Sequence, residues 1–470
     1  MEFFYNQQIR IKNSAYRKLA IFFLGFLLIL SNVIYFLQPA SANVSMSLFY
    51  FVIVIVCLAN FIYFKVKQKV NYFDFDTIFI AIYCMVGFST TFFYGVPIYS
   101  ALFLGFPVSD LFINRGNLLF LIGLLSYLIG SLAISNYIKL HKNNNKIIIN
   151  NFIPSVILLF SIGFFILSGG VSFFINVYTG EEAVAGISLH ILIVIICTGS
   201  VVMVTELYNK KNSILYKIRK VSIISIFLFA AVLILVGNRT AGSQIFLAFL
   251  GVYTMFFYNL NFKKFFLFLV MAIFSMWVIQ NTRGNTEINI SHPILIISDL
   301  TIPARQTYAA IEYVYRNGFT YGRTMLLGVV GLVPFLPSFF LGDDVREFSA
   351  GMLLTDITLE ETNRLVEIGL GSTIIADIYL SFGLFGVIFL MFLLGYFINK
   401  LYINSMNNEY YSIIVLSVML SNSVFIVRDS YLHPFRYIIW SLVIANINVF
   451  FISTLKSNCK KKVVFESGCV

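Results

Sequence analysis

Uncharged apolar runs alternate with short polar stretches along almost the whole chain. A helix that crosses a bilayer needs roughly 20 mainly apolar residues. Runs near that length fall at 19–37, 47–64, 77–94, 117–137, 152–168 and 187–205, then at 221–236, 243–259, 265–282, 378–398, 412–427 and 437–454. The pattern therefore predicts about twelve transmembrane helices. One connection is long, from Arg283 to Asp377, between the ninth and tenth spans. Two further apolar segments fit less simply. The 325–341 segment carries Pro334 and Pro337 and reads as re-entrant or interfacial, and 96–109 is too short to span. Within the long connection Pro303 can open a helix whose Ala304, Tyr308, Ile311 and Tyr315 repeat at helical spacing, and Asn317-Gly318 ends it. Thr358-Leu359-Glu360-Glu361 has the form of a capping box, with Gly369 closing the short helix that follows. The expected architecture is an all-α polytopic membrane protein. It is one integral membrane domain over 1–470, with a large external loop at 283–377 that contains short helices. No internal repeat or heptad pattern is visible.

Composition agrees with lipid as part of the solvent. Of 470 residues 59% are hydrophobic and only 11% charged, against about 25% charged in soluble domains. Mean hydropathy is +0.89. Disordered, collagen-like and secreted disulfide-rich classes are excluded on the same ground. Ala40-Ser41-Ala42 has the look of a signal-peptidase site, but the apolar run before it is longer than a usual signal core, so the first helix is read as retained. Cys57, Cys84, Cys197, Cys459 and Cys469 show no metal-ligand spacing and are expected as free thiols.

Lysine and arginine orient the chain, because cytoplasmic loops carry the excess. Alternate connections hold 22 of the 32 cations, which places both termini in the cytoplasm. The other ten are Arg115, Arg239, Arg283, Arg305, Arg316, Arg323, Arg346, Arg364, Arg428 and Arg436, with no lysine among them. Positive charge outside works against the topology bias, so another requirement should favour it. Arginine offers a planar fork that binds phosphate bidentately. Outward arginines thus point to an anionic ligand, and ion pairing with the external acids is the competing explanation. Arg239, in Gly237-Asn238-Arg239-Thr240-Ala241-Gly242, opens a helix whose dipole favours an anion. Arg283 begins the long loop, Arg305 lies off the stripe of the loop helix, and Arg428 and Arg436 bracket a nine-residue turn holding Asp429 and His433.

Candidate bases are few. His433 and His292 are external and each precedes proline, and Asp377 sits at the mouth of the tenth span. An imidazole exchanges protons near neutral pH, and the two arginines beside His433 are expected to disfavour its charged form. His141 lies in a basic loop and His190 near a span end. No His-x-x-Glu-His, P-loop or Gly-x-Ser-x-Gly pattern occurs. Acidic residues inside the spans are too sparse for a proton-driven pump.

This layout resembles the Wzy-type O-antigen or capsule repeat-unit polymerases. The likeness rests on the Gly237–Gly242 turn, Thr282-Arg283-Gly284 at the loop start, and Gly371-Ser372 with Ser381-Phe382-Gly383-Leu384-Phe385-Gly386. An Arg-x10-Gly spacing quoted for such loops is not reproduced, since eleven residues separate Arg239 from Gly251. The resemblance implies a glycosyltransferase of the bacterial inner membrane. It would move a growing glycan from undecaprenyl pyrophosphate to a hydroxyl of a new lipid-linked repeat unit at the outer face. Arg239, Arg283, Arg305, Arg428 and Arg436 would hold the diphosphate, and His433, with His292 and Asp377 in reserve, would take the proton. It implies no cofactor or metal and no nucleic acid. Partners would be the bilayer, the undecaprenyl-pyrophosphate-linked oligosaccharide and a chain-length regulator protein. An O-antigen ligase with the same donor, or a repeat-unit flippase without chemistry, are the rival readings.

Overall fold

The computed structural model describes residues 14–39, 41–95, 110–134, 151–172, 188–209, 216–236, 238–281, 300–333, 336–362 and 370–466. Among the described residues the regular structure is entirely helical. In chain order the helices are α1 (Ser14–Leu37), α2 (Met46–Lys67), α3 (Phe75–Gly87), α4 (Ser89–Phe93), α5 (Asp110–Ala133) and α6 (Phe152–Leu167). They continue with α7 (Ser188–Asn209), α8 (Tyr216–Val236), α9 (Arg239–Phe256), α10 (Phe262–Asn281) and α11 (Ala304–Asn317). The remainder are α12 (Leu326–Val330), α13 (Leu336–Leu341), α14 (Ala350–Thr362), α15 (Ile374–Met406), α16 (Tyr410–Ser421), α17 (Ser423–Arg428) and α18 (Phe435–Glu466).

Every apolar run expected to span has a helix on it. Among the described residues six helices are long and apolar enough to cross a membrane: those at Ala15–Leu37, Met46–Lys67, Asp110–Ala133, Ser188–Glu206, Ile374–Met406 and Phe435–Thr454. Two expected spans are broken. The 77–94 run becomes α3 and α4, which part at Phe88, and the 412–427 run becomes α16 and α17, which part at Asn422. The uncharged 325–341 segment is no span either, but the short helices α12 and α13. In the loop, α11 follows Pro303 and ends on Gly318 at φ 84°, as its sequence suggests. The supposed capping box does not cap. Thr358 lies inside α14, and its hydroxyl donates to the Leu354 carbonyl. The helix starts eight residues earlier, after Ser349 in extended conformation, because Ala350 and Leu354, one turn apart, already belong to a buried helical face. The 96–109 segment and Gly369 lie outside the described residues.

The described chain forms two compact units. One comprises 1–137, 259–400 and 422–436, and the other 138–258, 401–421 and 437–470. In the first, α5 is buried along nearly its whole length and packs against α1, α2 and α11. It meets α15 backbone to backbone. A Cβ on Gly130 would lie 2.0 Å from the Phe392 carbonyl oxygen, and one on Gly395 2.2 Å from that of Tyr127. Small residues permit this approach, which gains dispersion contacts where no hydrophobic effect drives helices together.

One end of this unit is held by a buried charge network. The hydroxyls of Tyr63 and Tyr127 donate to the two Asp76 oxygens at 2.6 and 2.5 Å. Lys69 Nζ donates to both Asp74 oxygens at 2.8 and 2.6 Å and lies 3.4 Å from Asp76. Lys67 Nζ lies 3.8 Å from Asp76 and donates to Asn399 on α15 at 2.7 Å. Two lysines that serve the topology count are thus structural partners of two aspartates. The second unit is an apolar core of α6, α7, α8, α9, α16 and α18, with Thr205 and Tyr410 hydroxyls paired at 2.8 Å inside it.

Candidate functional site

Three segments of the first unit converge on the start of α15. Thr373 accepts the Ala376 N–H on its side chain and so caps the helix. Its hydroxyl also pairs with that of Thr307 on α11 at 2.6 Å. Just before it, Ser372 N–H donates to the Arg428 carbonyl at 3.3 Å. The end of α17 is thereby fixed against the mouth of α15.

Asp377 lies one turn into α15 and is fully buried. Tyr431 N–H donates to its Oδ2 at 3.1 Å, and the Thr324 hydroxyl stands 3.5 Å from Oδ1 and 3.1 Å from Ser381 Oγ. Among the described residues no lysine or arginine pairs with it. A carboxylate taken out of water without a cation is costly, and such groups mark functional positions more often than packing ones. The first turn of a helix offsets part of that cost through its dipole.

α15 turns sharply at Gly383, whose φ of 62° and ψ of −155° are open to glycine. The Leu380 carbonyl at the bend accepts the Thr320 N–H at 2.8 Å and the Thr320 hydroxyl at 3.1 Å. A straight helix would put positions 377 and 390 about 20 Å apart along its axis. Tyr431 nevertheless binds Asp377 through its backbone and the Leu390 carbonyl through its hydroxyl, at 3.1 Å each. The bend folds α15 around this tyrosine. Burial pushes the Tyr431 phenol up to about 12, so it stays a neutral donor.

The same turn carries the histidine. His433 Nδ1 meets Asp429 Oδ2 at 2.5 Å, and the His433 N–H donates to the Ser430 carbonyl at 3.2 Å. The imidazole is 13% exposed, with the Phe425 ring tilted beside it. Burial raises the Asp429 carboxyl. The His433 hydrogen bond and charge, with Arg436 and Arg428, outweigh this and hold it below the ordinary carboxylate range. The expected repulsion of His433 by two arginines is therefore met by an acid in direct contact with the ring. A carboxylate on one imidazole nitrogen fixes the orientation of the ring.

The other candidate residues are dispersed. Arg305 is buried and donates to Thr358 Oγ1 at 2.5 Å, between α11 and α14. Arg239 opens α9 in the second unit, where the Asn238 side chain accepts the Ala241 N–H at 3.1 Å and so takes one of the free donors of that helix end. Arg283, His292, His141 and Arg364 lie outside the described residues. Three of the other arginines expected outside follow the ion-pair explanation: Arg316 with Glu312, Arg323 with Glu347 and Arg346 with Asp356. Arg115 donates to the Gln38 carbonyl at 2.8 Å and lies over the Tyr35 ring.

The unit therefore brings together Asp377, His433, Arg428 and Arg436, and adds Asp429, Tyr431, Thr324 and Ser381, which the sequence did not single out as site residues. The i,i+4 spacing of Asp429 and His433 was the available signal for one of them. Among the described residues no cluster of three or more His, Cys, Asp or Glu is arranged to hold a metal. No known protein family, curated protein or solved structure matches the chain.

Proposed function

We propose that the protein transfers a glycan from a polyprenyl pyrophosphate donor to a sugar hydroxyl at the membrane surface, as a Wzy-type repeat-unit polymerase does. The observation that carries this reading is the joining of a buried, cation-free Asp377 to the turn that holds the Asp429–His433 pair between Arg428 and Arg436. In the reaction His433 accepts the acceptor hydroxyl proton while the hydroxyl oxygen bonds to the anomeric carbon of the donor. The bond from that carbon to the diphosphate oxygen breaks, and the diphosphate leaves with its electron pair. Asp429 stabilises the imidazolium that forms, and Arg428 and Arg436 stabilise the departing charge. Asp377 fixes the Tyr431 end of the turn and is the reserve proton acceptor.

The glycan pattern of a strain lacking this chain tests the reading. Surface lipid carrying a single repeat unit supports polymerisation. Unmodified lipid with accumulated polymer assigns ligation, and loss of both products with repeat units retained inside assigns flipping.

A further inference from the structure

The loop between α10 and α15 presents an apolar surface that the catalytic reading does not use. Phe339 and Phe340 of α13 are 83% and 66% exposed, and Leu326, Val329 and Val333 on and after α12 are also exposed. Several large apolar side chains exposed on neighbouring short helices suggest a contact with lipid or with another protein.

Its surroundings favour lipid. Beyond the bend, α15 carries an exposed apolar stripe of Phe385, Phe389, Leu393 and Phe397 at helical spacing, ending at the exposed Lys400. That limb, from Leu384 to Lys400, covers roughly 24 Å, short of the roughly 30 Å hydrocarbon core. The limb before the bend is buried from Ile374 to Ser381, and Phe382 beside the bend is its one exposed side chain. The loop continues the stripe at that end. Phe319 packs against Gly383, where an added Cβ would meet its ring at 2.8 Å, and Phe382 packs on Gly322. From there the chain runs directly into α12 and α13. Two charge pairs lie near this surface, Arg323 with Glu347 and Arg346 with Asp356.

We propose that α12 and α13 lie in the acyl-chain region of the bilayer and complete the lipid-facing belt that the bend in α15 leaves short. The occupant is lipid hydrocarbon, and the proposal rests on the membrane-spanning character of α15 and not on the transfer chemistry. It also places the candidate site beside lipid, because α12 packs on the His433 turn: a Cβ on Gly328 would lie 2.8 Å from Leu432 Cβ.

Tryptophan quenching by lipids brominated along their acyl chains tests it, in nanodiscs, with Trp277 and Trp440 replaced by phenylalanine. Phe339→Trp and Phe340→Trp are compared with Phe385→Trp on the span and Tyr315→Trp on α11, all at exposed positions and each checked for a single monodisperse species. Both α13 variants are expected to be quenched to at least half the extent of Phe385→Trp, and Tyr315→Trp much less. Quenching at 339 and 340 no greater than at 315 would overturn the proposal and assign the surface to a second copy, another protein or water. Loss of quenching at 385 would overturn it equally, by removing the stripe it extends.

Discussion

Tyr431 donates its backbone N–H to Asp377 Oδ2 at 3.1 Å, across 54 positions of sequence. The bond joins the first turn of α15 to the turn that carries His433, and the Tyr431 hydroxyl repeats the connection at Leu390. The proposed proton acceptor and the buried acid are thus tied together, which is the preorganisation that charge-developing chemistry requires.

Asp377→Asn separates the chemical role of this acid from its structural one. Asparagine still accepts the Tyr431 N–H, so thermal stability is expected to stay within about 1 kcal/mol of wild type. With His433 as the proposed acceptor, transfer is expected to fall by less than about 10-fold, and a fall of roughly 100-fold or more, the size of a lost acid–base contribution, would move the proton role to Asp377. Turnover at the wild-type rate in a well-folded Asn variant would leave Asp377 as a hydrogen-bond acceptor only.

Gly383→Ala tests the bend. An added Cβ meets the Phe319 ring at 2.8 Å, and φ of 62° with ψ of −155° is strained for alanine. The expected cost is about 1–3 kcal/mol, read as a lower melting temperature in detergent. An unchanged melt would mean that α15 runs straight through this position.

The helices were legible because a long apolar run favours one, and each such run carries a helix, six of them among the described residues long and apolar enough to cross a membrane. The breaks at Phe88 and Asn422 were not legible, because neither position has a proline and both interruptions depend on what packs around them. Likewise Thr358-Leu359-Glu360-Glu361 has the right residues for a cap, yet the buried face beginning at Ala350 extends the helix past it. In the site, sequence density pointed to His433, Arg428 and Arg436. The Asp377–Tyr431 contact was hidden, since a backbone donor leaves no trace in residue type. The arginines expected outside were ambiguous for a related reason. A fork that suits phosphate also suits carboxylate, and Arg316, Arg323 and Arg346 have taken carboxylates.

Asp76→Ala addresses the charge network that fixes the first unit. Lys67, Lys69 and Asp76 side chains are all under 10% exposed, so removing the acid leaves two buried ammonium groups with only Asp74 between them. The expected destabilisation is about 3–5 kcal/mol, visible as lost membrane abundance and a lower melt. Combining Lys67→Met with Asp76→Asn should cost less than the two single changes together. Simple additivity would show that these groups do not act as a network.

Acid should weaken the Asp429–His433 pair. A carboxyl held below its ordinary range contributes stability that is present above its unfolded pKa of about 3.9 and is lost as pH falls through the lower folded value. The melting temperature of wild type should therefore exceed that of Asp429→Asn at pH 6, with the gap closing below about pH 4. A gap that stays constant down to pH 3 would mean that the Asp429 charge carries no net stabilisation.

Purified protein in nanodiscs, supplied with synthetic lipid-linked repeat units, provides the most direct measurement. Wild type is expected to lengthen the glycan stepwise and release polyprenyl pyrophosphate in equal number to the bonds formed. His433→Ala is expected to bind donor with unchanged affinity and to lose turnover, and Arg428→Lys and Arg436→Lys to weaken donor binding although charge is kept. Full turnover in His433→Ala, or no glycan transfer by the wild-type protein with intact donor bound, would contradict the assignment of this turn as the centre of glycan transfer.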